Sequence, residues 1–250
     1  MIAALVRANL LELMRSRVYL AGLGLLVVLA LMSALLDQLA TGEEGRVIVD
    51  VGLWVGSLSI DVLAVVLGLS SAAGLQSVEV MLLLTRPVSR EQVLLGRFVA
   101  VVVVVVVAAF ACGVVLSALG LWASSDAVAR IPVATLLIAA EGVIAGALGF
   151  TAGVAMSPAA AAVAAAMLVV VGRLGDLLVE LADLGKFGEM GGVVRVVARV
   201  IPQLWRFDPG AWLGGSAPLA DVGVSLGYCV LILVGILGIA VAAYRRRELG

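Results

Sequence analysis

The chain has 250 residues, 64% of them apolar and only 13% charged, with a formal net charge of −1 and no histidine. A soluble domain carries about 25% charged residues, so this composition excludes one; the missing histidine excludes Ser-His catalysis and histidine-based metal sites. Basic residues sit at the ends of apolar runs rather than in one continuous patch, which argues against nucleic acid as a partner.

Residues 2–16 predict an amphipathic helix. Ile2, Val6, Leu10, Leu13 and Met14 share one face, and Asn9, Glu12, Arg15 and Ser16 share the other. Such a helix suits the membrane interface, or it extends the first spanning helix into the cytoplasm. The apolar run 18–36 is too long for a signal-peptide core and is followed by no small-x-small cleavage site, so it reads as a retained helix. A polar loop, 37–46, contains Gly42 and Gly45 and leads into a second span, 47–69, that continues toward Gly74.

The interval 76–97 breaks the apolar pattern. Arg86-Pro87 stops one helix, because the proline ring clashes with helical backbone before it. Ser89-Arg90-Glu91-Gln92 fits a capping box that starts the next, and the apolar run resumes at Val93. The interval is therefore helix, elbow, helix: an ordinary cytoplasmic loop, or a docking surface for a soluble partner.

A third span, 98–122, includes seven consecutive valines from 101 to 107. A polar loop, 124–130, precedes a fourth span, 131–156. Ser157-Pro158 makes a tight turn with proline at the first helical position. A fifth, short span covers 159–171 and can extend to 178. The segment 173–221 reads as structured and outer-facing. Leu174, Leu177, Leu178, Leu181 and Leu184 form an apolar stripe opposite Asp176, Glu180 and Asp183, and a second short helix with Arg195 and Arg199 ends at Pro202. Trp205, Phe207 and Trp212 surround an Asp208-Pro209-Gly210 turn, as in elements half-inserted at an interface. A sixth span, 222–244, ends in Arg245, Arg246 and Arg247. The expected fold is all-α, one membrane domain over 1–250 with six spans of the ~20 residues a bilayer requires.

Arginine sets the orientation. Arg7, Arg15, Arg17, Arg86, Arg90, Arg97 and the three C-terminal arginines gather on one side, against Arg46 and Arg130 in the short loops of the other. Both termini and the elbow are expected to be cytoplasmic.

The run Glu79 … Leu82-Leu83-Leu84-Thr85-Arg86-Pro87-Val88-Ser89-Arg90 … Leu94-Leu95-Gly96-Arg97 resembles the signature of permease subunits of type-2 ATP-binding-cassette exporters. This chain has Arg97 where lysine is commoner. The resemblance covers about a tenth of the chain; length, helix count and the basic C-terminal end agree with it less specifically. It implies an interfacial helix at residues 2–16 and re-entrant helices between the last two spans that cap the exit of the transport path. It also implies a second permease copy, identical or a sister chain, and ATPases on separate chains, which would bind ATP and Mg. The implied setting is a bacterial inner membrane. Glu79, Arg86, Arg90 and Glu91 become candidate ATPase contacts, with Pro87 and Ser89 setting the elbow; Trp205, Phe207 and Trp212 become outer-gate candidates. No Walker A pattern (Gly-x4-Gly-Lys-Ser/Thr) occurs in the chain, so no ATP site of that kind, no catalytic residue and no enzyme activity is expected of it.

Three acids fall within spans: Asp50, Asp61 and Glu141. Intramembrane carboxyls are costly and usually face a bundle interior or a wet cavity. Asp50, Trp54, Ser57 and Asp61 share one helix face, which can line a polar path. With no lysine or arginine at the same depth, Asp61 and Glu141 are expected to be neutral; alternatively they hydrogen-bond across helices as packing elements. Intramembrane aspartyl proteolysis needs a Gly-x-Gly-Asp motif, and the nearest sequence, Arg173-Leu174-Gly175-Asp176, lacks its first glycine. Gly142, Gly146, Gly149 and Gly153 permit close helix approach, for internal packing or a dimer. Cys112 and Cys229 lie in apolar runs and read as core residues. Beside the exporter, two other functions fit: a proton-coupled transporter using Asp61 or Glu141, and a membrane anchor for a soluble complex.

Overall fold

The computed structural model describes residues 44–76, 90–122, 126–208 and 219–247, together with Gly24. All of the regular structure among them is helical. Helix α1 is Glu44–Ala73, closed by a 3-10 turn at Gly74–Gln76; α2 is Arg90–Trp122. A 3-10 turn, Asp126–Arg130, runs directly into α3, Ile131–Ala155. Then come α4, Pro158–Arg173; α5, Gly175–Asp183; a 3-10 turn at Gly188–Met190; α6, Gly191–Val200; a 3-10 turn at Leu204–Phe207; and α7, Leu219–Arg247. Helices α1, α2, α3 and α7 are long and apolar enough to cross a membrane, and α4 with α5 forms a bent pair. The described residues are all-helical, and their long apolar helices are those of a membrane protein. The run 18–36 and the amphipathic stretch 2–16 lie outside the described residues.

The described spans match the apolar runs, with shifts at their ends. Helix α1 begins at Glu44, so the tail of the expected polar loop is helical, and 126–130 is a 3-10 turn rather than a loop. Helix α2 is already helical at Arg90, directly after Ser89 of the expected capping box. Ser157 caps α4 in extended conformation and Pro158 opens it, where a missing backbone N–H costs nothing.

Helix α3 is the axis of the bundle. Of its apolar stretch 83% is buried inside the molecule, against 17% for α7 on the periphery. Its glycines explain why. A Cβ at Gly149 would lie 2.6 Å from the Val65 carbonyl oxygen, and one at Gly142 would lie 2.6 Å from Ile60 Cγ2 and 2.9 Å from Val105 Cγ1. On α1, a Cβ at Gly68 would land on the Gly146 carbonyl oxygen and 2.7 Å from the Phe150 nitrogen. Helices α1 and α3 thus meet backbone to backbone. Without a hydrophobic drive between helices in lipid, such close packing is what holds them together. The four-residue glycine spacing therefore serves internal packing. In the valine run of α2, Val101, Val104 and Val105 are buried while Val103 and Val107 are exposed, continuing an outward stripe through Phe110 and Val114.

The expected span 159–171 departs from expectation. Helix α4 has 16 residues, about 24 Å at 1.5 Å per residue, short of the ~30 Å hydrocarbon core. It does not extend straight to 178. It breaks at Leu174, and α5 leaves at 59°. The returning chain occupies the space beside the break. A Cβ at Gly172 would lie 2.6 Å from the Pro202 carbonyl oxygen, and one at Gly175 would lie 3.3 Å from Trp205 Cδ1. Leu204 and Phe207 are fully buried there. Between break and return, α5 and α6 pack on each other, linked through Gly185 and Gly188, both at positive φ. Val193, Val196, Val197 and Val200 form an exposed stripe on α6.

Candidate functional site

Three elements converge on one buried charge cluster. Helix α1 contributes Ser57 and Asp61 from successive turns, α3 contributes Glu141, and α4 contributes Arg173, its last residue. Arg173 Nε donates to Asp61 Oδ2 at 2.8 Å, and Nη2 lies 3.0 Å from Glu141 Oε1. Nη2 also donates to Ser57 Oγ, and the Ser57 hydroxyl donates to Glu141 Oε2 at 2.7 Å. The side chains of Asp61 and Glu141 are 3% and 2% exposed, and that of Arg173 is 15% exposed. Asp208 lies just past the Leu204–Phe207 turn on the return segment.

This overturns one expectation. A cation does lie at the depth of the two acids, and both carboxyls contact it. Arg173 was grouped with the outer segment because it ends an apolar run, but the break after it turns its guanidinium into the bundle. One sequence signal pointed there: Arg173 is the sole basic residue between Arg130 and Lys186, so it is the only local cation for Glu141.

The face proposed for α1 divides. Ser57 and Asp61 turn inward, Trp54 is exposed and Asp50 is half-buried. Asp50 is 11 residues from Asp61, roughly 16 Å along the helix, and is no part of the cluster. Of the gate candidates, Trp212 lies outside the described residues. Phe207 is buried with its ring centroid 6.4 Å from that of Tyr228. Trp205 lies against Arg206, whose guanidinium is 5.4 Å from both the Trp205 and Tyr228 rings. The Gln203 backbone nitrogen donates to the Tyr228 hydroxyl at 2.8 Å. The return segment is thus fastened to α7.

At the opposite end, Glu79, Arg86, Pro87 and Ser89 lie outside the described residues. Arg90 opens α2, and Glu91 accepts from Arg245 Nε at 3.0 Å. The pair joins the start of α2 to the end of α7. Both partners are exposed, and exposed pairs contribute about 0–1 kcal/mol. Glu91→Gln is therefore expected to change the detergent melting midpoint little, within the shift that about 1 kcal/mol produces. Arg97, counted among the arginines that set the orientation, is buried. Its Nη1 donates to the Ser71 carbonyl at 3.4 Å, fastening the last turn of α1 to α2. Gly74 leaves the space its guanidinium occupies.

Neither a scan against models of known protein families nor a search of curated proteins matched this chain.

Proposed function

We propose that this chain is the membrane-spanning subunit of an ATP-driven exporter, working with a second permease and separate ATPase subunits. With the run 18–36 as the first span and the α4–α5 pair as the fifth, the count is six. The observation that carries the reading is the elbow sequence from Glu79 to Arg97. The structure adds support at the described flanks of that run: Arg97 fastens α1 to α2, and Glu91–Arg245 ties the start of α2 to the basic end of α7. Closure of an ATPase pair would push on the elbow. Helix α1 would carry that push to Asp61 and Ser57, and through Arg173 to the α4–α5 break and the α5–α6 hairpin. Coupling of this kind requires two states that the nucleotide distinguishes.

Charge reversal tests the docking role. Arg86→Glu with Arg90→Glu is expected to lower ATPase co-purification by roughly tenfold, the effect of about 1.4 kcal/mol, with membrane insertion unchanged. Undiminished co-purification would remove the elbow from the interface.

The buried cluster favours a second reading, a proton-coupled transporter. That protein would move its substrate along a pH gradient without ATP, and Asp61→Asn would abolish the flux. A membrane anchor for a soluble complex would show neither ATP-dependent nor gradient-dependent flux.

A further inference from the structure

The cluster does not balance its charge by itself. One guanidinium faces two carboxyls, one on α1 and one on α3. Among the described residues, Arg206 on the return segment lies over the Trp205 and Tyr228 rings, and α2 and α7 carry their charges only near their ends. The charged residues of α2 are Arg90, Glu91 and Arg97, all near its start, and those of α7 are Asp221 near its start and Arg245–Arg247 at its end. An uncompensated charge in the middle of a membrane bundle is expensive.

The hydrogen bonds are unequal between the two acids. Both Glu141 oxygens face donors, the Ser57 hydroxyl on Oε2 and Arg173 Nη2 on Oε1. Ser57 Oγ in turn faces Arg173 Nη2, which leaves its own proton directed at Glu141. That is the surrounding of a carboxylate. Asp61 has one oxygen, Oδ2, on Arg173 Nε. Its other oxygen, Oδ1, is buried and has no hydrogen-bond partner among the described residues. A carboxylate oxygen left without a donor forfeits its solvation, and a charged group left so costs more than a neutral hydroxyl.

We propose that the Ser57–Asp61–Glu141–Arg173 cluster is a proton-binding site, with one proton held on Asp61 Oδ1 and Glu141 serving as the ionised partner of Arg173. The proton neutralises the Arg173 pair set without disturbing its hydrogen bonds. It exchanges beside Arg173, whose side chain is the most exposed of the three ionisable groups at 15%. A metal cation fits the same place poorly. Among the described residues no group of three or more acidic, cysteine or histidine side chains converges, and the guanidinium would repel it. The inference rests on the cluster's geometry and holds whether ATP or a gradient drives the protein.

Infrared spectroscopy of the full chain in lipid nanodiscs at neutral pH tests it. The expected result is a protonated-carboxyl C=O band that shifts in D2O and disappears as the pH is raised. It moves when aspartate carboxyls are 13C-labelled and stays put when glutamate is labelled. Asp61→Asn abolishes it, and Asp50→Asn leaves it in place. Absence of the band at neutral pH, a band that follows the glutamate label, or one lost in Asp50→Asn would overturn the assignment. The labels read the wild-type chain, so the test survives a folding failure of Asp61→Asn.

Discussion

Arg173→Met is expected to destabilise the protein by about 3–5 kcal/mol, the usual result of removing one partner from a buried ion pair. The substitution leaves Glu141 and Asp61 buried at 2% and 3% side-chain exposure without their cation. It also releases the end of α4, since Arg173 is what ties that helix terminus to α1 and α3 together. The measurement is the fraction of monodisperse protein after detergent extraction, with the thermal midpoint of what remains. Neutralising the whole set, Arg173→Met with Asp61→Asn and Glu141→Gln, is expected to recover most of the loss, because a buried pair replaced entirely by neutral groups is often no less stable. A single Arg173→Met variant as stable as wild type would show that the cluster carries no net charge requirement.

Gly68→Leu is expected to separate α1 from α3. Its Cβ would fall on the Gly146 carbonyl oxygen and 2.7 Å from the Phe150 nitrogen. Both are backbone atoms, which cannot swing aside as a side chain does. Overpacking commonly costs about 1–3 kcal/mol and occasionally more; this site belongs at or above the upper end, since relieving the clash also stretches Ser57 from Glu141. Gly146→Ala is the informative contrast. Its new methyl would meet Ala64 O and Val101 Cγ1 at 3.4 Å each, ordinary contact, so a change within about 1 kcal/mol is expected. On α7, Gly235→Ala has nothing within 4 Å to meet and is expected to be neutral. Equal melting midpoints for all three variants would contradict the backbone-to-backbone account of α1 and α3.

How legible these features were in the sequence depended on what distinguished them. Spans were readable because runs such as the valines of α2 leave no other reading at that length. Pro158 marked the start of α4 by a mechanism, and the glycines of α3 marked close approach by their size. Hydropathy could not separate the buried Val104 from the exposed Val103, because lipid and protein interior are both apolar. Arg173 was misplaced for a related reason: an arginine closing an apolar run looks like an interface marker, and only the 59° break after it sends the side chain inward. The return of Leu204 and Phe207 into the core was hidden because Gln203, Arg206 and Asp208 interleave them with polarity. That polarity is absorbed locally: Arg206 Nε donates to Gln203 Oε1 at 2.7 Å and its guanidinium stacks beside Trp205 and Tyr228. Ser57, Asp61 and Glu141 were all identifiable as intramembrane polar groups. Their partner was not, since the pairing depends on how three helices cross.

A mild-detergent pull-down of this chain from its native membranes, with the co-purified proteins identified and the complex assayed for ATP hydrolysis, tests the exporter reading most directly. The expected result is a stoichiometric soluble partner bearing a Walker A loop, ATP hydrolysis by the complex, and loss of that partner when Arg86 and Arg90 are reversed in charge. A chain that purifies intact without such a partner, in membranes where it shows gradient-driven flux blocked by Asp61→Asn, would contradict the reading and make the protein a proton-coupled carrier.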